Sequence, residues 1–319
     1  MSIFYNVIQS TMFFTMPLLI VALAGMFSER SGVVNIALEG KMVIGAFTGT
    51  FFIHHFQDSF SGQPLLIVAL ILAMLAGILV SVLHAYAAIN LKANQIISGV
   101  AINMFAPAFA VYTSRMVIDH QNVAFNNAQF RIDSVPLLGS IPIIGPMFFQ
   151  RVFITTLLGF IILVVSAFVI YKTKFGLRLR ACGEHPQAAD SVGISVSKIR
   201  YAGVLISGAL AGIGGVVFIV PISNEFVNGS VSGYGFLALA VLIFGAWRPK
   251  KILFGAVFFG LMQAISANFS VIPVLSGLNL HANFFRMMPF IATLIVLAFS
   301  SKNSQAPKAV GQPYDKGGR

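Results

Sequence analysis

The chain has 319 residues, of which 57% are hydrophobic and only 9% are charged, and its mean hydropathy is +0.89. Soluble globular domains carry about 25% charged residues, because their surfaces must be hydrated, so this composition excludes a soluble globular protein. The net charge of +11 would suit nucleic acid in a soluble protein. Here, however, the basic residues lie in short clusters between apolar blocks, where membrane topology places them. We therefore expect this chain to be surrounded by membrane lipid and to bind no nucleic acid.

Apolar blocks that can cross about 30 Å of hydrocarbon recur along the chain. The sequence therefore predicts an all-α, polytopic transmembrane helix bundle of about nine segments, with eight to ten allowed. The second and seventh segments are short for a simple crossing and could be broken or partly re-entrant, which is tolerated where protein or a wet cavity surrounds the backbone. The first segment is predicted to be a retained span and not a signal peptide, because no Lys or Arg precedes it and no small-residue cleavage site follows it. In chain order the predicted segments are Ser10–Phe27, Met42–Phe56, Pro64–Asn90, Asn94–Ser114, Val152–Tyr171, Arg200–Ile222, Tyr234–Trp247, Ile252–Ser270 and Phe285–Ser300.

The distribution of basic residues predicts the orientation in the membrane. When the loop Lys172–Arg200 is placed in the cytoplasm, sixteen basic residues fall on the inner side and four on the outer side. That bias follows the positive-inside rule and predicts an outside N-terminus and an inside C-terminus. If the first or second segment is not a full crossing, only the N-terminus changes side. The inner set is Arg30, Lys41, Lys92, Lys172, Lys174, Arg178, Arg180, Lys198, Arg200, Arg248, Lys250, Lys251, Lys302, Lys308, Lys316 and Arg319, and the outer set is Arg115, Arg131, Arg151 and Arg286.

Two parts of the chain are distinguished by composition. Residues 1–301 are predicted to form one transmembrane permease domain, which contains a long inner loop at 172–200. Residues 302–319, KNSQAPKAVGQPYDKGGR, are polar and rich in Gly and Pro, which is typical of a flexible tail. The tail follows the last predicted span and is therefore expected in the cytoplasm.

The motifs that catalysis would require are absent from the sequence. No phosphate-binding loop G-x-x-x-x-G-K-[ST], no His/Cys/Asp/Glu cluster with metal-ligand spacing and no G-x-S-x-G nucleophile motif is present. His54-His55, the nearest approach to a metal motif, lies at the outer end of a predicted span and fits an interfacial pair. We therefore predict no catalytic residues, no metal site and no cofactor bound by this chain.

Ionisable residues inside the predicted spans are few. Away from the ends of the segments there are almost none: His84 lies in the inner part of the third segment, and Glu39 lies just before the second. A proton- or sodium-coupled carrier is expected to hold a buried acid in its pathway. The scarcity of such groups favours energy supplied by another subunit.

The inner loop contains a short helix pattern. Gly183 interrupts the chain, and Pro186 suits a first helical turn because its missing N–H would be unpaired there. A helix of Pro186–Val192 is then predicted, ended by Gly193, since Gly favours the position after a helix. Such a helix could dock into a groove on another protein, and an ordinary solvated loop is the alternative.

Polar side chains cluster at the starts of two predicted spans. Asn35 and Glu39 are four residues apart and share one face of a helix; a second group begins the fourth segment. Amides and hydroxyls there could bind hydroxyl-rich or heterocyclic solutes, and they could equally join helices by hydrogen bonds. The candidate substrate path consists of Asn35, Glu39, Asn94, Gln95, Ser98 and Asn103.

Three stretches carry a resemblance to a known family. The chain resembles the permeases of bacterial ABC importers in the ribose, simple-sugar and nucleoside group, which are related to branched-chain amino-acid permeases. The stretch GVVNIALEG looks most like the corresponding stretch of those nucleoside and simple-sugar permeases that work with a lipoprotein receptor. The three stretches are ERSGVVNIALEG at Glu29–Gly40, ANQIISGVAIN at Ala93–Asn103 and FGLRLRACGEHPQAADSVGISVSKIRYAGVLISGALAGIGG at Phe175–Gly215.

The resemblance implies an inner-membrane subunit that moves nucleosides or related simple sugars by alternating access. It implies three partners: a separate ATP-binding cassette subunit that holds ATP and Mg, a second homologous permease chain, and an extracytoplasmic solute-binding lipoprotein. Gln95 departs from the family pattern, which often has an acid there, and Lys41 departs because an apolar residue is usual. The residues implied to couple to the ATPase are Gly183, Glu184, His185, Pro186, Ala188, Asp190 and Gly193.

Two other functions remain open from the sequence. A stand-alone secondary carrier or facilitator for a small polar solute would also be a polytopic bundle, and so would a membrane-embedded scaffold or enzyme subunit. The sequence does not distinguish a nucleoside from a sugar as the transported solute, or a homodimeric from a heterodimeric permease pair.

Overall fold

The structure is a computed structural model, and it describes residues 2–136, 139–142, 145–227, 231, 233–272, 275, 282–300 and 306–316. Within these residues helix is the dominant secondary structure, and four short strands are also present. A π-helical turn at Tyr86–Asn90 extends the third helix. The helices are α1 (Ser2–Arg30), α2 (Leu38–Phe56), α3 (Gln63–Ala85), α4 (Gln95–Ile118), α5 (Ile154–Lys172), α6 (Lys174–Glu184), α7 (Pro186–Ser191), α8 (Val196–Ile222), α9 (Tyr234–Phe244), α10 (Pro249–Ala267) and α11 (Ala282–Ser300).

The all-α membrane bundle is confirmed, but the count of nine segments is not. Among the described helices, α1, α3, α4, α5, α8 and α10 are long and apolar enough to cross a membrane. The predicted second segment begins earlier than expected, at Leu38, so that α2 includes Glu39 and Lys41. The predicted seventh segment is α9, which has only 11 residues. At 1.5 Å per residue it spans about 16 Å, roughly half of the hydrocarbon thickness.

Helix α8 lies at the centre of the bundle and packs against α1, α2 and α3. Small residues allow this close packing. A side chain at Gly45 on α2 would collide with the Gly212 backbone, and one at Gly77 on α3 would collide with the Gly208 backbone. Lipid provides no hydrophobic drive for helix association, so such close backbone contact is what stabilises helix pairs there. These glycines therefore serve the packing of the bundle.

Short strands close the end of the bundle that carries the outer loops. β1 (Val123–Ala124) pairs antiparallel with β4 (Glu225–Phe226), and β2 (Arg131–Ser134) pairs antiparallel with β3 (Gln150–Phe153). The first pair joins the loop after α4 to the connection between α8 and α9. The long connection between α4 and α5 is therefore partly ordered by strand pairing.

The opposite end collects basic residues that were assigned to the cytoplasm, and we call it the inner end. Arg30 Nη1 lies 3.7 Å from Glu184 Oε1, and Lys92 Nζ lies 2.9 Å from Asp315 Oδ2. Residues far apart in sequence thus meet at one end of the bundle, as the predicted topology requires.

Residues 306–316 of the tail also lie at the inner end, and we call them the strap. Within the strap Pro307 and Ala309 are buried, and its backbone hydrogen-bonds to residues of α6 and of the connection between α1 and α2. The flexibility expected for 302–319 stays a prediction, but this part of the tail makes defined contacts.

Candidate coupling and solute sites

Helices α6 and α7 with Gly193, residues 174–193, form a compact unit at the inner end, which we call the coupling unit. Pro186 occupies the first turn of α7, as predicted. The helix ends at Ser191, one residue before the predicted end. Gly193 has φ +82°, and its N–H donates to the Asp190 carbonyl at 2.9 Å, so this left-handed position terminates the helix where Gly is favoured.

The coupling unit has a buried side and an exposed side. Gly183, Pro186 and Ala189 are buried, and a side chain at Gly183 would collide with the Arg30 carbonyl oxygen at the end of α1. Val192 is 74% exposed. The other exposed residues on and around α7 are His185, Gln187, Ala188, Ser191 and Gly193. A short helix that presents one face to solvent can lie in a groove on another protein.

A hydrogen-bonded network fixes the coupling unit to the end of α1. Besides its ion pair with Glu184, Arg30 donates from Nη2 and Nε to the Trp247 carbonyl at 3.1 and 3.3 Å. The Trp247 indole N–H in turn donates to Glu29 Oε2 at 2.7 Å. Ala246 and Trp247 have positive φ values of 47° and 53°, a conformation that non-glycine residues adopt only when surrounding contacts hold it.

A cavity of about 460 Å³ opens between the coupling unit, the strap and the turn before α10. Its charged lining residues are Arg30, Glu184, Arg248, Lys251 and Lys308. Four cations against one carboxylate give this cavity a positive potential, which favours an acidic group on a docking partner.

The connection between α1 and α2, residues 31–37, lies inside the bundle and leaves the helical path. Asn35 is fully buried there and donates from Nδ2 to Ser207 Oγ on α8 at 2.7 Å. Lys41 is also fully buried and donates from Nζ to Asn35 Oδ1 at 2.9 Å. Non-helical backbone within a membrane protein needs such internal partners, and this polar cluster supplies them.

Glu39 stabilises the start of the short helix α9. Its Oε1 accepts from the Gly233 N–H at 2.8 Å, and its Oε2 accepts from the Gly235 N–H at 2.6 Å. A carboxylate at a helix N-terminus satisfies N–H groups that have no partner within the helix. The start of α9 therefore meets the start of α2, and two interrupted segments come together in the bundle.

The residues at the start of α4 bind the same 31–37 connection. Gln95 Oε1 accepts from the Val34 N–H at 2.7 Å. His84 Nε2 lies 3.0 Å from the Val34 carbonyl, and His84 Nδ1 lies 2.7 Å from Ser98 Oγ. Because a carbonyl only accepts, Nε2 donates to Val34 and Nδ1 accepts from the Ser98 hydroxyl.

Asn103 and Asn94 complete the predicted set in different ways. Asn103 Oδ1 accepts from the Gly40 N–H at 2.8 Å, and its Nδ2 donates to the Ile36 carbonyl at 2.9 Å. Asn94 is exposed and caps α4 by accepting from the N–H groups of Ile96 and Ile97. The structure thus brings Asn35, Glu39, Gln95, Ser98 and Asn103 together around the connection and leaves Asn94 at its edge.

The contacts of these residues are those of the helix-joining alternative, and their part in a substrate path stays a prediction. The sequence alone does not identify Ser207, Arg200 and Trp247 as members of the inner networks. The one sequence signal for these networks is Lys41, a charged residue within an apolar segment. Ser207 and Trp247 resemble ordinary residues of membrane spans and give no such signal.

A second cavity, of about 500 Å³, lies at the outer end of α2. His54 Nδ1 lies 2.7 Å from the Ala124 carbonyl oxygen, which fits the predicted interfacial role of the histidine pair. The polar lining residues are His54, Gln57, Asp58, Asn126, Gln129 and Asn224. This cavity is open to the outer surface, and its polar side chains offer hydrogen-bonding groups there.

Comparison with known proteins agrees with this architecture. Residues 7–297 match the family model described as branched-chain amino acid transport system / permease component. The guanosine ABC transporter permease protein NupQ of Bacillus subtilis is 42% identical over 314 residues, covering 98% of this chain and 97% of NupQ. The nucleoside ABC transporter permease protein NupC of Lactococcus lactis is 38% identical over 311 residues, covering 97% and 96%. The nucleoside ABC transporter permease protein NupB of the same bacterium is 26% identical over 260 residues, covering 77% and 68%.

No solved structure matches this chain. The family model, by contrast, covers the bundle from α1 into α11 and includes the coupling unit. The match over nearly the whole length of two permeases includes both interrupted segments as well. This chain is a multi-pass integral membrane protein of the plasma membrane, and it belongs to the family of permease components of branched-chain amino-acid-type transport systems.

Proposed function

We propose that this chain is the membrane-spanning subunit of an ATP-driven importer of nucleosides or of simple sugars related to them. The observation that carries the proposal is the coupling unit, in which the short helix α7 is followed by the exposed Val192 and Glu184 pairs with Arg30 at the end of α1. The names of NupQ and NupC support nucleosides as the solute. Ribose hydroxyls and a heterocyclic base match the amide-rich lining of the outer cavity.

ATP hydrolysis belongs, in this proposal, to a separate ATP-binding cassette subunit that holds ATP and Mg and docks on the coupling unit. The basic cavity beside Glu184 supports an acidic contact from that subunit. The polar groups within the bundle support an external energy source, because Glu39 and Lys41 are both engaged in hydrogen bonds that hold the fold together.

Two further partners complete the proposed complex. NupB and NupC are both nucleoside ABC transporter permease proteins of one bacterium, and this chain is similar to both, which supports a pair of homologous permease chains. Exposed apolar side chains on α4 and α5, such as Met104 at 73% and Val164 at 66%, provide surfaces for that chain or for lipid. An extracytoplasmic solute-binding lipoprotein would dock at the outer end.

The proposed mechanism is alternating access. Closure of the ATPase pair moves the coupling unit, and the permease pair reorients around a central path. The interrupted segments at 31–37 and before α9 suit such a change, because non-helical connections absorb backbone rotation more easily than continuous helices. A solute moves inward only if its affinity differs between the outward and inward states.

A pull-down with ATPase assay tests this proposal. The full-length chain, tagged at its N-terminus and purified from its own membranes, should co-purify an ATPase whose activity is stimulated by a nucleoside together with the binding lipoprotein. A chain that purifies without an ATPase under conditions that preserve other membrane complexes would contradict the proposal and favour a stand-alone carrier.

A further inference from the structure

The strap binds the last turn of α6. The Ala309 N–H donates to the Gly183 carbonyl at 2.8 Å, and the Lys308 N–H lies 3.4 Å from Glu184 Oε2. Helix ends leave carbonyl groups without partners inside the helix, and here the strap satisfies one of them. Pro307 and Ala309 are buried in this contact.

The same strap binds the connection between α1 and α2. The Gly311 N–H donates to the Gly32 carbonyl at 3.1 Å. A Cβ atom added at Gly311 would lie 3.3 Å from Val34 Cγ2, so the strap backbone at Gly311 lies close to the Val34 side chain. Val34 is the residue whose backbone holds Gln95 and His84, and Asn35 follows it directly.

Arg200 on α8 is the side chain that organises the strap. It is 1% exposed, its Nη1 donates to the Gln312 carbonyl at 2.9 Å, and its guanidinium lies 6.0 Å from the centre of the Tyr314 ring. Its Nε and Nη2 are buried without a hydrogen-bond partner in the described part of the chain. The strap therefore provides both a carbonyl and an aromatic face for a buried cation, which is costly to leave unpaired.

Tyr314 extends the contact to the coupling unit. Its ring packs against the buried cluster of Cys182, Ala189 and Val196. Burial first, and then a hydrogen bond with Asp190, raises the pKa of the Tyr314 phenol. The strap thus contacts α6 at one end, the 31–37 connection in its middle and α7 at its other end.

We propose that the strap is a mechanical link that transmits movement of the coupling unit to the 31–37 connection, with Arg200 as its positioning residue. The inference rests on the proposed function, because the movement in question is the one that the ATPase imposes. Because the strap hydrogen-bonds both to Gly183 and to Gly32, a movement of Gly183 that keeps both hydrogen bonds also displaces Gly32. Displacement of 31–37 in turn moves the Asn35–Lys41–Ser207 cluster at the start of α2.

The test compares four variants in the complete transporter reconstituted in proteoliposomes. They are a chain ending at residue 305, Arg200→Gln, Arg200→Lys and Gln312→Ala. The measured quantity is nucleoside transported per ATP hydrolysed, together with the amount of ATPase that co-purifies. Gln312→Ala is the matched control, because only the backbone carbonyl of Gln312 makes the contact with Arg200.

The truncated chain and Arg200→Gln should keep the ATPase bound and hydrolysing ATP, while transport per ATP falls about tenfold, within the usual range of coupling between sites. Arg200→Lys should recover part of the loss, because an ammonium can donate the same hydrogen bond, and Gln312→Ala should match the unaltered chain. An unaltered ratio in the truncated chain would overturn the strap inference alone. Loss of bound ATPase in both the truncation and Arg200→Gln would also overturn it, since the strap would then be a docking element. Absence of ATP-driven transport by the unaltered complex would overturn the proposed function itself.

Discussion

Lys41 donates a hydrogen bond of 2.9 Å to the amide oxygen of Asn35, and both side chains are fully buried. The two residues join α2 to the connection that precedes it, and Asn35 passes the contact on to Ser207 of α8. A buried lysine with a neutral partner is an expensive arrangement, because the desolvated amine keeps only part of the hydrogen bonding that water provides. This cluster is therefore sensitive to loss of either partner.

Replacing Asn35 by Leu should destabilise the protein by about 2 to 4 kcal/mol, because it leaves both Lys41 and Ser207 without their buried partner. The double variant Asn35→Leu/Lys41→Met should be more stable than Asn35→Leu, since apolar groups then replace both halves of the pair. Thermal unfolding in detergent would measure both. A double variant less stable than the single one would show that Lys41 has another role in stability.

Replacing Glu39 by Ala should destabilise the start of α9 by about 1 to 2 kcal/mol, the usual effect of losing a helix cap. Glu39→Gln should have a smaller effect, because its amide oxygen can still accept one of the two backbone hydrogen bonds. Hydrogen exchange of the backbone amides at 233–236 would report the loss locally. Equal protection in all three proteins would argue against a capping role.

Gly208→Ala should disrupt the contact of α8 with α3, because the added methyl group meets the Gly77 carbonyl and the Ser81 side chain. We expect a loss of about 3 kcal/mol, at the upper end of the usual range for overpacked contacts. Gly193→Ala is the comparison: nothing lies within 4 Å of the added group, and only the left-handed backbone resists it, which costs about 1 kcal/mol. Similar melting temperatures for the two variants would contradict the packing explanation.

The short coupling helix shows how local signals allowed prediction. Pro186 and Gly193 each act on the backbone within a residue or two, so the start and end of α7 were readable to within one residue. The contact of Gly183 with Ala309, by contrast, joins positions 126 apart in sequence, so no local pattern predicts it. From the sequence, the polarity of the tail indicated only flexibility. The candidate site was predictable to the same extent. The sequence shows which positions carry amide side chains, but it does not show their partners. Asn103 hydrogen-bonds to the backbone of Ile36 and Gly40 because of the way α4 packs against α2.

Val192 on the coupling unit should be a contact for the ATPase. Val192→Asp should release the ATPase on purification without changing the melting temperature of this chain, because the side chain is 74% exposed and supports no internal packing. Val192→Thr is the matched control, since it keeps the branched shape and should retain most of the ATPase. Retention of the ATPase by Val192→Asp would place the docking surface elsewhere.

ATP dependence of uptake is the most direct test of the account. The complete complex, reconstituted in proteoliposomes with its binding lipoprotein outside, should accumulate a radiolabelled nucleoside only when ATP and Mg are enclosed, and this chain reconstituted alone should accumulate none. Uptake by this chain alone, at a rate unaffected by ATP, would contradict the account.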